Sequence, residues 1–177
     1  VKNEKVRQAQ KTLQNQIGEF HQKLLGSING CNNPGSGGII DFECHAKKII
    51  AEIKNKYNTV KASNEFNLYD ELERLVKTKG HKYHEYTAYY VQVIPKTGKP
   101  YDIPFTPSDN TKGLRRPSNE QIRRIDGRSF YGKITGIPNS LELLFDTLPG
   151  VIEAQDLSQY KFSDIEVIKN YFLKAYK

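Results

Sequence analysis

Asp41, Glu52 and Lys54 are the residues of this chain whose types and spacing could do chemistry together. They fall within Gly38-Ile-Ile-Asp-Phe-Glu-Cys-His-Ala-Lys-Lys-Ile-Ile-Ala-Glu-Ile-Lys54, a stretch apolar enough to be core that nonetheless carries charge. It reads as two short strands. In the second, Ile49, Ala51 and Ile53 alternate with Ile50, Glu52 and Lys54, because strand side chains point to opposite faces in turn. One face is expected to be buried and the other to place a carboxylate beside an ammonium. If the chain reverses around Ala46-Lys47, Asp41 comes opposite Glu52 on the neighbouring strand, within reach of a shared ion. Glu43 has the same parity as Asp41 and rivals it for that place. The bland reading of Glu52 and Lys54 is a solvated strand face, and the cost of unpaired charge in an apolar strand argues against it. Two carboxylates and a lysine on a rigid sheet make a metal site with a water-handling group beside it. That is a nuclease-like arrangement. Glu19 could complete the set if the helix carrying it packs across the sheet; a solvated helix glutamate is the equal alternative.

The elements that must position these groups can be read in order. Val6, Ala9, Leu13, Ile17, Phe20 and Leu24 follow three-and-four spacing and predict an amphipathic helix from about Asn3 to Leu25. A glycine-rich loop, Gly30 to Gly38, precedes the hairpin. Its glycines come before a strand, which disfavours a dinucleotide-binding turn, and the absence of G-x-x-x-x-G-K-[ST] excludes a nucleotide triphosphate cofactor. Ser63 is expected to cap a second helix with Leu68, Leu72, Leu75 and Val76 on one face. Tyr86 to Ile94, rich in β-branched and aromatic residues, predicts a third strand, parallel to the second in a mixed sheet. Its tyrosines, with Tyr83, are expected in the core. Tyr101 to Phe105 reads as a short strand despite Pro104. Ser118-Asn-Glu-Gln121 fits a capping box and predicts a short helix carrying Arg123 and Arg124. Ser140 is expected to cap an apolar helix, and a final helix to run from about Ser163 to Tyr176.

Composition narrows the partners. A length of 177 residues suits one domain with a real core, and no run approaches a membrane helix. The chain lacks methionine even at position 1, so residues upstream are expected to be missing. Cys31 and Cys44 have no CxxC spacing and the four histidines are scattered, which excludes a disulfide framework and a structural zinc. A reducing, cytoplasmic setting is expected. Net charge is +7 and pI ≈ 9.3, favouring a polyanionic partner. Five of the seven arginines lie between Arg115 and Arg128.

Ile39-Ile-Asp41 followed by Ala51-Glu-Ile-Lys54 resembles the PD-(D/E)xK signature of type II restriction endonucleases. Ile40 stands where that signature has proline. The first helix with Gln16-Ile-Gly-Glu-Phe20, the run Ala51 to Lys61 and the segment Asp126-Gly-Arg-Ser-Phe-Tyr131 are similar to the restriction enzymes that cut GGNCC. The resemblance spans about residues 10 to 150. It implies an α/β fold with a mixed central sheet flanked by helices, and one nuclease domain over 1–177. Within it lie a catalytic core of about 10–106, a DNA-recognition segment of about 107–136 and C-terminal helices of about 139–177.

In such enzymes Asp41 and Glu52 would bind Mg²⁺, and Lys54 would orient or deprotonate the attacking water. The products would be a 5′-phosphate and a 3′-hydroxyl. A G-rich site calls for arginines reading guanine in the major groove, and Arg115, Arg116, Arg123, Arg124 and Arg128 are the candidates. Two or three of them are expected to clamp phosphates instead, with Lys56, Lys61, Lys112 and Lys133. A palindromic double-stranded target implies a homodimer. The alternatives are another nuclease on the same fold, for repair or junction resolution, and a non-catalytic DNA-binding module.

Overall fold

The computed structural model describes residues 2–35, 37–109 and 112–154. The helix expected from Ser163 to Tyr176 lies outside them. A six-stranded mixed sheet runs through the molecule in the order β1-β2-β3-β4-β8-β5. It is formed by β1 (Cys31–Asn32), β2 (Phe42–Cys44), β3 (Ile49–Lys56), β4 (Thr87–Ile94), β5 (Asp102–Pro104) and β8 (Ile122–Asp126). The strands β3, β4 and β8 are parallel; β1, β2 and β5 run antiparallel to their neighbours. A separate pair, β6 (Ser108–Asp109) and β7 (Leu114–Arg115), closes the loop between β5 and β8.

Helices cover both faces. On one, α1 (Lys2–Gly26), α3 (Gly127–Thr135) and α4 (Ser140–Ala154) pack Leu25, Phe130, Ile134 and Leu141 against Ile49, Ala51, Ile53 and Val91. On the other, α2 (Ala62–Lys77) lays Leu68, Tyr69, Leu72 and Val76 against Ile50, Ala88, Tyr90 and Ile122. The second face of β3 is therefore buried too. It is not an open surface as the alternation alone implied, and Ile50 is fully buried under α2. Cys31 is half-buried and Cys44 buried, and both are free. Among the described residues no helix is long and apolar enough to cross a membrane.

Several expectations need correction. Residues 118–126 do not form a helix: Ile122–Asp126 is strand β8, paired with both β4 and β5. Asn119 closes a turn by accepting the Gln121 N–H at 2.9 Å instead of starting a helix. Ile122 and Ile125, three apart, point to opposite faces of the strand and fill separate cores. Each such buried isoleucine contributes roughly 1.5–3 kcal/mol, against about 1 kcal/mol for a helix cap. Tertiary burial wins. Lys61, not Ser63, holds the N-cap position of α2, without a side-chain cap. Ser140 is the first residue of α4, and its buried hydroxyl has no partner among the described residues. The segment after Asp126, left without an element by the sequence, is α3, and the glycine-rich loop contains β1.

Candidate active site

Hairpin β2–β3 turns through a 3₁₀ segment at His45–Lys47, closed by Lys48 in the left-handed region at φ 51°. Its register pairs Phe42 with Ala51 and Glu43 with Ile50, so Asp41 lies just beyond β2, level with Glu52. The Asp41 N–H donates to Ala51 O at 2.9 Å, and the Asp41 carboxylate accepts the Ile53 N–H at 2.9 Å. The side chain thus serves as an acceptor where strand β2 has ended. This backbone bond fixes its direction without help from any rotamer preference.

Asp41 and Glu52 sit close enough to share a hydrogen bond, and the Lys54 ammonium contacts Glu52. Burial first, and the Asp41 charge second, push the Glu52 pKa up from 4.5 to about 8. Lys54 pulls the other way and does not offset them. Two crowded carboxylates repel each other, and either a shared proton or a cation between them relieves the repulsion. Mg²⁺ commonly takes one or two carboxylates and completes its shell with water and substrate phosphate, so the donor set fits.

The sign of the pH effect follows. The folded protein keeps a proton on Glu52 that the unfolded chain loses above about 4.5. That contribution to stability is complete below 4.5 and disappears as pH rises through about 8. Urea midpoints of metal-free protein should therefore fall between these limits, and Glu52→Gln should flatten the fall. Equal slopes in the two proteins would contradict the crowding.

Glu43 is not the first carboxylate. It is buried beneath Tyr83, Asn32 and Lys82, with His45 nearby. Burial alone would raise its pKa, yet hydrogen bonds from Tyr83, Asn32 and Lys82 hold it down to about 2. Glu19 is exposed and paired with Lys23 at 2.8 Å. It lines a cleft with Lys54 that neither Asp41 nor Glu52 lines. The structure therefore brings Asp41, Glu52 and Lys54 together and leaves Glu19 beside them. Among the described residues no three acidic, histidine or cysteine side chains form one metal cluster. A hollow lined by Ile39, Glu52, Lys54, Asn64, Asn67 and Glu71 opens over Glu52 and Lys54, between β3 and α2.

The arginines do not form one surface. Arg123 and Arg124 project from opposite faces of β8, because they are strand neighbours. Arg123 is tied to Asp102 and Glu120, Arg116 to Asp70 and the face of Phe66, and Arg128 to Glu142. Exposed Arg115 donates to Thr106 at 3.0 Å. Arg124 shares the Glu52 face: Glu52 aligns with Tyr90, and Tyr90 with Arg124. Its Nε is buried without a hydrogen-bond partner among the described residues. Lys133 pairs with Asp102 at 3.1 Å and Lys112 with Asp109 at 3.7 Å. Lys56, at the end of β3, and Lys61, before α2, are exposed.

Gln92 was overlooked by the sequence reading. It aligns with Lys54 on one side and Asp126 on the other. It is buried, accepts the Tyr101 hydroxyl at 2.6 Å and donates to Tyr57 O at 3.3 Å. An amide inside an apolar strand is the same signal that singled out Glu52, and could have found it.

A model of the Eco47II restriction endonuclease family matches residues 1–156. The chain is 44% identical over 179 residues to the type II restriction enzyme Eco47II of Escherichia coli, covering 98% of this chain and 75% of that enzyme. It is 30% identical over 146 residues to the type II restriction enzyme Sau96I of Staphylococcus aureus, covering 81% of this chain and 54% of that enzyme. No solved structure gives a significant match.

Proposed function

Because the chain belongs to the Eco47II restriction endonuclease family and is a site-specific deoxyribonuclease, we propose that Asp41, Glu52 and Lys54 are its catalytic residues and Mg²⁺ its cofactor. The observation that carries this is the crowding of the Asp41 and Glu52 carboxylates beside the Lys54 ammonium, with Glu52 and Lys54 on interior strand β3 lining a hollow. When bound there, Mg²⁺ would supply Lewis-acid polarisation of a phosphate oxygen and a water of lowered pKa. Asp41 and Glu52 would hold the cation, and the Ile53 N–H fixes the direction of the Asp41 carboxylate. Lys54 turns from Glu52 to orient the attacking water and to offset the negative charge that grows on phosphorus. In-line displacement then leaves a 5′-phosphate and a 3′-hydroxyl. Glu19 stays outside this set.

Double-stranded DNA is the substrate, with GGNCC as its proposed site on the strength of the resemblance to enzymes of that group. Arg115 and Arg124 are the arginines best placed to reach DNA. Arg115 is exposed, and Arg124 shares the catalytic face, its Nε unbonded and its charge near Glu65 and the Tyr101 ring. Arg116, Arg123, Arg128, Lys112 and Lys133 would have to leave an acidic partner first. Lys56 and Lys61 are free to clamp phosphates. A palindrome calls for a two-fold dimer, and exposed Leu143 and Val151 on α4 support an interface there. The setting is the cytoplasm, where DNA is met.

Digestion of DNA of known sequence, with and without Mg²⁺, tests the reading. Discrete fragments, ending in 5′-phosphate at GGNCC and seen only with the metal, are expected. Smears or a preference for branched DNA would favour a repair or junction nuclease, and binding without cleavage a non-catalytic module.

A further inference from the structure

A second cleft, of about 650 Å³, lies between α1 and the end of β3. Asn15, Gly18 and Gln22 of α1 line one side, and Lys54, Asn55 and Asn58 the other. Lys54 and Thr59 border both this cleft, on the α1 face of the sheet, and the hollow over Glu52, on the α2 face, so the two share a rim around the end of β3.

Gly18 is the unexpected member. It sits inside a helix of 25 residues, where glycine is the least favourable residue after proline. Close packing does not require it, since a Cβ built there meets no atom within 4 Å. Its φ is not positive either, so no turn requires it. The space it leaves opens into the cleft. A second observation concerns Asn55, whose Oδ1 is buried there without a hydrogen-bond partner among the described residues. Buried amide oxygens are nearly always bonded, so this one calls for a donor, which an occupant carrying acceptors alone would meet only through a bridging water.

The lining is made of amides and lysines, with one carboxylate, Glu19, neutralised by Lys23. Amide N–H groups and ammonium groups are the usual donors to phosphate and sugar oxygens. The mouth shared with Lys54 puts them next to the bond to be cut. Resting on the endonuclease reading above, we propose that the DNA strand being cut runs on from the catalytic hollow into this cleft. Its sugar–phosphate backbone passes the bare main chain of α1 at Gly18, and Asn15, Gln22 and Asn58 donate to it. Gly18 is then a positioning residue that sets how closely the helix and the strand approach.

Gly18→Ala and Gly18→Leu test this, because packing and DNA binding pull in opposite directions. Alanine removes the helix penalty, so Gly18→Ala should melt at a higher temperature than the parent. On a duplex with one site, its KM should rise about threefold and that of Gly18→Leu about tenfold or more, with kcat within about twofold. A rise in Tm with KM unchanged in both variants would sink the proposal while leaving the nuclease intact. So would a change in oligomeric state alone, which would assign the cleft to a second copy. If Gly18→Leu fails to fold, Gly18→Ala decides. A parent protein that neither binds nor cuts the duplex would remove the endonuclease reading itself, an outcome seen before any variant is made.

Discussion

Lys54→Ala should lower kcat for duplex cleavage by about 10³-fold or more, within the range expected when a positioned proton-handling group is lost. Duplex binding should stay within a few-fold of the parent. The two readouts separate because Lys54 is one cation among many on a basic chain, yet the ammonium touching Glu52 is hers alone to supply. Lys56 provides the control. It lies two residues on, exposed at the end of the same strand and bordering the cleft. Lys56→Ala removes the same charge and should weaken binding modestly without a comparable fall in kcat. If both variants lose activity equally, Lys54 acts only through the field of the surface. If Lys54→Ala cuts as fast as the parent, the proposed site is wrong.

The largest effect on stability is expected at Asp126. Its carboxylate is completely buried where β8 ends and α3 begins. One oxygen caps α3 by accepting the Ser129 N–H at 3.0 Å; the other accepts the Tyr101 N–H at 2.6 Å. Asp126→Ala strands two half-buried backbone donors, each costing about 1–3 kcal/mol, for a loss of about 2–6 kcal/mol. Asp126→Asn keeps one acceptor and should lose about half as much. Urea denaturation with an unchanged m value checks this. A loss below about 1 kcal/mol for alanine would mean that water or another side chain takes over both donors.

The geometry of the proposed site was legible because it is local. Alternation along Ile49 to Lys54 assigned Glu52 and Lys54 to one face, and one short turn at His45–Lys47 brought Asp41 level with Glu52. Periodicity likewise marked the helices α1 and α2, and the run of β-branched and aromatic residues marked β4. Where sequence signals failed, burial on two sides was the cause. β8 is covered on both faces, so Ile122 and Ile125 appear at helical spacing although they belong to different cores. The error then spread to Arg123 and Arg124, which a helix would have kept on neighbouring positions and which the strand sends apart. α3 was passed over although Asp126, a strong N-cap, stands before Phe130, Tyr131 and Ile134.

The amino-acid order by itself carried the resemblance to the family, the presence of an α/β core and the chemical identity of the three groups at β3. The last two follow from short-range rules: side-chain parity, turn length and the expense of charge in an apolar run. Tertiary structure alone decided between Glu43 and Asp41, since only the folded chain shows Tyr83, Asn32 and Lys82 occupying the former. It also decided which arginines are engaged by Asp70, Asp102 and Glu142, and it set Gly18 and Asn55 across one cleft. These partners lie far apart along the chain, and their meeting depends on how the helices pack on the two faces of the sheet.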